Sequence, residues 1–152
     1  MTIDDTTAAE IAAIVAEGAS LPLPDAAYAI WRRRHRLDSL EGRPTKEQVR
    51  AFRAMSPQEQ AANMRHDRNV AHEGPIFTHL KTAQPGASDP EIKQAIIAAV
   101  RFEDACFKYF VHDNTDYWDR CVRAVARAAK ENPGYLESTV QQARNDVAYY
   151  NK

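Results

Sequence analysis

Glu103 is the residue of this chain whose type and place best fit chemistry. At about 100° per residue of an α-helix, it falls in the middle of an apolar stripe made by Ile92, Ile96, Ala99, Phe107 and Phe110. Its neighbour Asp104 falls on the opposite flank with Arg101 and Lys108, where a solvated acid has partners one turn away. A carboxylate inside an apolar stripe is costly unless an Arg, His, hydroxyl, metal or water-filled pocket meets it, or unless its pKa rises. The spacing therefore predicts a buried acid tied to an Arg or Trp of another helix. The other reading is a functional acid in a small pocket, attended by Tyr109, Trp118 and a histidine.

The second chemical feature is the run Trp31-Arg32-Arg33-Arg34-His35-Arg36. Consecutive helical residues spread around the axis, so these arginines cannot share one line; Arg32 pairs in face with Arg36, and Arg33 also lies one turn from Arg36. A nucleic-acid surface would join Arg32, Arg33, Arg36, Arg43 and Arg50, with Lys46 and Arg53 beside them and Arg120, Arg123 and Arg127 as an extension. A net charge of −1, the absence of a helix-turn-helix glycine turn and the lack of an RNA-binding signature weigh against it. The opposing expectation is internal pairing. Residues 1–30 carry Asp4, Asp5, Glu10, Glu17 and Asp25 and no Lys or Arg, so an acidic segment stands ready for the arginines of 31–53.

The histidines are His35, His66, His72, His79 and His112, and no pair has the i, i+3 or i+4 spacing of a helical metal site. His66, His72, Glu73 and His79 could be gathered only by a fold-back after Gly74-Pro75; no metal and no cofactor is expected. Cys106 and Cys121 fit no zinc spacing and read as buried, reduced thiols. There is no Gly-x-Ser-x-Gly elbow and no glycine-rich phosphate loop, and only five glycines occur. Nucleophilic catalysis therefore has no motif to stand on.

The elements that must position these residues are helical. A length of 152 residues suits one domain. Capping boxes stand at Thr7…Glu10, Thr45…Gln48, Ser56…Glu59 and Ser88…Glu91. With Pro and Gly as punctuation they predict helices over 6–17, 24–41, 45–54, 57–72, 89–112, 115–131 and 134–150, while 73–88 is open between short helix and extended connection. No segment alternates as a strand does. The fold expected is an all-α, single-domain, irregular or orthogonal bundle of about six or seven helices. The apolar helix 89–112 is its hub, and a C-terminal hairpin carries the stripes Trp118, Cys121, Val122, Val125, Ala129 and Leu136, Val140, Ala143, Val147, Tyr150. Six of the 13 aromatics fall in 102–118, which places the expected core centre there.

The acidic start and the absence of a long uncharged stretch point to a bacterial cytoplasmic protein with no membrane segment. Twenty-six alanines against six leucines make a core thin in large aliphatics, which a partner or a second copy often completes. The expected function is therefore a helical interaction protein: an accessory subunit, adaptor or regulator. The alternatives are a small enzyme or ligand-binding module around Glu103, and a nucleic-acid binder using 31–53.

Overall fold

Alanine-rich segments that begin at capping residues or prolines favour helix, and helix is all the regular structure among the described residues. The computed structural model of the chain describes residues 5–41, 46–64, 68 and 70–151, with the backbone alone for 61–64. In order these form α1 (Asp5–Ala19), α2 (Leu23–Trp31), α3 (Arg34–Leu40), α4 (Lys46–Arg53), α5 (Pro57–Met64), a 3-10 turn (Ala71–Glu73), α6 (Pro75–Ala83), α7 (Asp89–Lys108), α8 (Tyr117–Glu131) and α9 (Glu137–Tyr150). The protein is all-α, with nine α-helices among the described residues rather than six or seven.

The difference arises where an expected long helix is divided. The segment 24–41 breaks at Arg32-Arg33, although no Gly or Pro stands there. The segment 75–83 is a helix opened by Pro75. The long segment expected over 57–72 ends as α5 by Met64, and its far end is the 3-10 turn.

Local capping accounts for several boundaries. Ser88 Oγ accepts from Glu91 N at 3.3 Å and Glu91 Oε1 accepts from Ser88 N at 3.0 Å, a complete box at the start of α7. Replacing Ser88 with Ala is expected to cost about 1 kcal/mol; an unchanged urea midpoint would show that this box contributes nothing. Ser56 Oγ likewise accepts from Glu59 N at 3.2 Å, and Asp116, not singled out in the sequence, caps α8. The Thr7 box is not a helix start, because α1 is already under way at Asp5 and Glu10 turns instead to Arg36. Thr45 lies outside the described residues.

The hub is a pair rather than one helix. α2 packs along α7, α1 and α6 lie against α2, and α8 and α9 pack on each other and on α7. Every residue from Asp25 to Trp31 is buried, so α2 is enclosed on all sides. Trp31 and Phe102 are the largest fully buried side chains, which moves the core centre from 102–118 to the α2–α7 seam. Gly18 permits close approach of α1 to α2: a Cβ at this position would meet the Ile30 side chain at 3.0 Å.

Three stripe ends also differ from expectation. Cys121, Val125, Val140, Ala143 and Val147 are buried as their spacing predicts, but Trp118, Leu136 and Tyr150 are exposed at the hairpin's rims. Leu136 is held through its backbone, whose N–H donates to the buried Asp25 at 2.9 Å; Thr139 Oγ1 donates to the same oxygen at 2.5 Å. Asp25 thereby accepts the N–H of the N-cap residue of α9, as the N3 acid of a capping box would. α4 buries no residue and packs on α5. No helix among the described residues is long and apolar enough to cross a membrane.

Candidate functional site

Within the arginine run, Arg32, Arg34 and Arg36 each pair with a different helix. Arg32 grips Asp146 of α9 with two parallel bonds, Nε to Oδ2 at 2.9 Å and Nη2 to Oδ1 at 2.8 Å. Tyr28 Oη donates to Asp146 Oδ2 at 2.9 Å and Gln142 Nε2 to Oδ1 at 3.0 Å, so this carboxylate accepts four bonds. Burial pushes the Asp146 carboxyl up, but the hydrogen bonds and charge of Arg32, helped by Gln142 and Tyr28, hold it below its ordinary value. Burial, with Asp146 beside it, pushes the Tyr28 hydroxyl up and keeps it a donor.

Arg34 makes the second fork. Its Nη1 donates to Glu103 Oε2 at 3.0 Å and its Nη2 to Oε1 at 2.9 Å, while its plane lies 4.1 Å from the Trp31 ring centroid. Arg68 closes the other side, donating to Glu103 Oε1 at 2.8 Å and pairing with Asp104. Glu103 is thus a buried acid between two guanidiniums, one of them stacked on a tryptophan. The third fork is exposed: Arg36 holds Glu10 of α1 through Nε at 2.6 Å and Nη2 at 2.8 Å.

Around these forks the surface is concave. A cleft of about 230 Å³ is lined by Arg34, Arg68, Glu103 and Phe107 together with Arg32, His35, Asp146 and Tyr150. The last four also line an adjoining open groove of about 450 Å³, which continues past Arg33, Arg36, Gln142, Asn145 and Tyr149. Tyr149 and Tyr150 are 68% and 62% exposed and meet edge to face, 5.0 Å between centroids. Tyr150 in turn leans on Phe107 at 6.2 Å.

Of the residues expected around Glu103, the histidine is found and the two aromatics are not. His35 lines the cleft, but Tyr109 and Trp118 do not. Tyr109 donates to Glu131 at 2.5 Å and carries Arg127 over its ring at 3.9 Å. The proposed basic surface is also divided. Arg32, Arg33 and Arg36 line the α3/α9 groove, Arg50 stands on α4 beside Lys46 and Arg53, and Arg43 lies outside the described residues. Arg123 is spent on Asp113, and Arg120 lies over Phe110 and Tyr117.

The histidines are likewise separate. His79 meets Glu41 at 2.5 Å, His72 meets Glu73 at 3.7 Å, and His66 lies outside the described residues. Among the described residues no three His, Cys, Asp or Glu side chains are grouped as metal ligands. Cys106 is buried and its thiol is pushed up to about 12 by burial, with Glu103 and Asp146 adding to the effect; Cys121 is buried too.

Sequence reasoning missed Asp146 and Tyr149 and placed Tyr150 on a core stripe. The signal for Asp146 was faint but present, since it precedes Val147 on the edge of the α9 stripe. Comparison with known proteins gives no matching family model, no matching curated protein and no matching solved structure.

Proposed function

We propose that this chain is a helical interaction protein, an accessory subunit, adaptor or regulator, and that the α3/α9 groove is its contact surface. The observation that carries the reading is the pair Tyr149 and Tyr150, left mostly in solvent beside Arg33 and Arg36. Tyrosine and arginine are enriched where protein partners bind, because each offers a large, oriented contact at low conformational cost. Both tyrosines face solvent rather than the core, so their removal leaves the fold intact. Tyr149→Ser with Tyr150→Ser is expected to change unfolding free energy by less than about 1 kcal/mol; a larger loss in a urea titration would assign them to the core instead.

The enzyme reading has less behind it. Both oxygens of Glu103 are engaged by arginines, three bonds in all, and a general acid or base needs an oxygen free for substrate. The nucleic-acid reading loses Arg32 to the half-buried Asp146, and Arg36 is engaged by Glu10 in an exposed pair.

A photoreactive amino acid placed at position 149 tests the proposal. It is expected to give a discrete adduct with a partner or a second copy, and the adduct should disappear when Arg33 is replaced by Glu. The same probe at Glu73, exposed on another face, serves as the control. Equal labelling from both positions, or none from 149, would remove the reading.

A further inference from the structure

We infer that the segment seated in the α3/α9 groove is an acidic protein segment carrying an aromatic or large aliphatic anchor; this rests on the interaction reading above. The groove lining holds the arginines 32, 33 and 36 against a single carboxylate, that of Asp146. Asp146 is turned inward and saturated by Arg32, Tyr28 and Gln142, so the pair it forms with Arg32 is closed.

Arg33 is different. Among the described residues it makes no ion pair and its buried Nε finds no acceptor, although the Glu10 carboxylate held by Arg36 is near enough to feel its charge. Buried donors of this kind are normally satisfied, and a guanidinium is satisfied best by a carboxylate, whose two oxygens match its fork. Arg36 adds a second, exchangeable cation. Its bond to Glu10 joins side chains that are 50% and 38% exposed, and exposed pairs are weak enough for a competing carboxylate to replace them.

The aromatic side of the groove sets the rest of the partner. Tyr149 and Tyr150 present apolar ring faces beside these cations, with the amides of Gln142 and Asn145 along the same helix. An acidic residue on Arg33 and a neighbouring apolar side chain on the tyrosines use both halves together. A phosphate backbone fits less well, since it needs several uncommitted cations in line and this groove offers one that is unpaired and one that is exchangeable.

The test uses the full chain and a fluorescently labelled random copolymer of glutamate and tyrosine, read by anisotropy. Polyglutamate, a lysine–tyrosine copolymer and a short DNA duplex serve as comparators. The glutamate–tyrosine copolymer is expected to bind best, and to weaken as salt rises. Arg33→Gln and the double change Tyr149→Ser, Tyr150→Ser should each weaken it by about tenfold, the scale of one substantial contact. Arg53→Glu on the separate helix α4 should leave it unchanged, and circular dichroism of every variant confirms helix content.

Polyglutamate binding as tightly as the copolymer, or tighter binding of the duplex, overturns the inference. So does a loss produced by Arg53→Glu and not by Arg33→Gln. If the lysine–tyrosine copolymer binds best and only the tyrosine changes weaken it, the groove survives as a contact surface and its acidic partner does not. If no groove substitution affects any probe, both fall.

Discussion

Replacing Glu103 with alanine is expected to lower the unfolding free energy by about 3–5 kcal/mol. The cause is what the substitution leaves behind. Arg34 has a side chain only 12% exposed, and without Glu103 its charge stays buried over Trp31 with a single backbone acceptor. Arg68 loses less, since it is 42% exposed and keeps Asp104. Two companion variants make the result specific. Glu103→Gln keeps shape and one acceptor and should fall between the parent and Glu103→Ala. Arg34→Met combined with Glu103→Leu removes both charges and should recover most of the loss, because a buried ion pair gives little net stability over apolar packing. Urea titration of the four proteins decides the matter. A Glu103→Gln protein that melts above the parent would sink the structural reading, since sites that hold a desolvated acid for binding give up stability to do so.

The second large effect is expected at Asp146. Asp146→Asn retains the shape but removes the charge that Arg32 grips and mismatches a donor to a donor, at a cost of about 2–3 kcal/mol near neutral pH. The pH dependence follows from the direction of the shift. The folded carboxyl lies below its ordinary value of 3.8, so its contribution is complete above that value and is lost as pH falls through the lowered one. The gap between parent and variant should therefore be full near neutral pH and shrink in acid, below about the ordinary carboxylate range. A gap that stays constant far into acid would mean that the charge on Asp146 contributes nothing.

Several features were legible in the residues alone because they are set by local periodicity and local hydrogen bonding. The helices, the box at Ser88 and the burial of Glu103, Cys106 and Cys121 all follow from which face a residue occupies and which donors a helix end leaves open. That Glu103 needs a cationic partner was also readable, since apolar surroundings make an unpaired carboxylate too costly.

Tertiary structure alone decided who the partners are. Arg34 and Glu103 are 69 positions apart and Arg32 and Asp146 are 114 apart, separations over which no spacing rule operates. The break at Arg32-Arg33 was equally illegible, since no helix-breaking residue stands there. Stripe ends were misjudged for a related reason. A helical face predicts inward direction only while a neighbour lies opposite, and Trp118, Leu136 and Tyr150 stand where the neighbouring helices stop. The groove beside Tyr149 and Tyr150 belongs to the same class. It is lined by Arg32, Arg33, His35 and Arg36 on one side and by the end of α9 on the other, and a juxtaposition of segments so far apart in the chain is set by packing rather than by any local pattern.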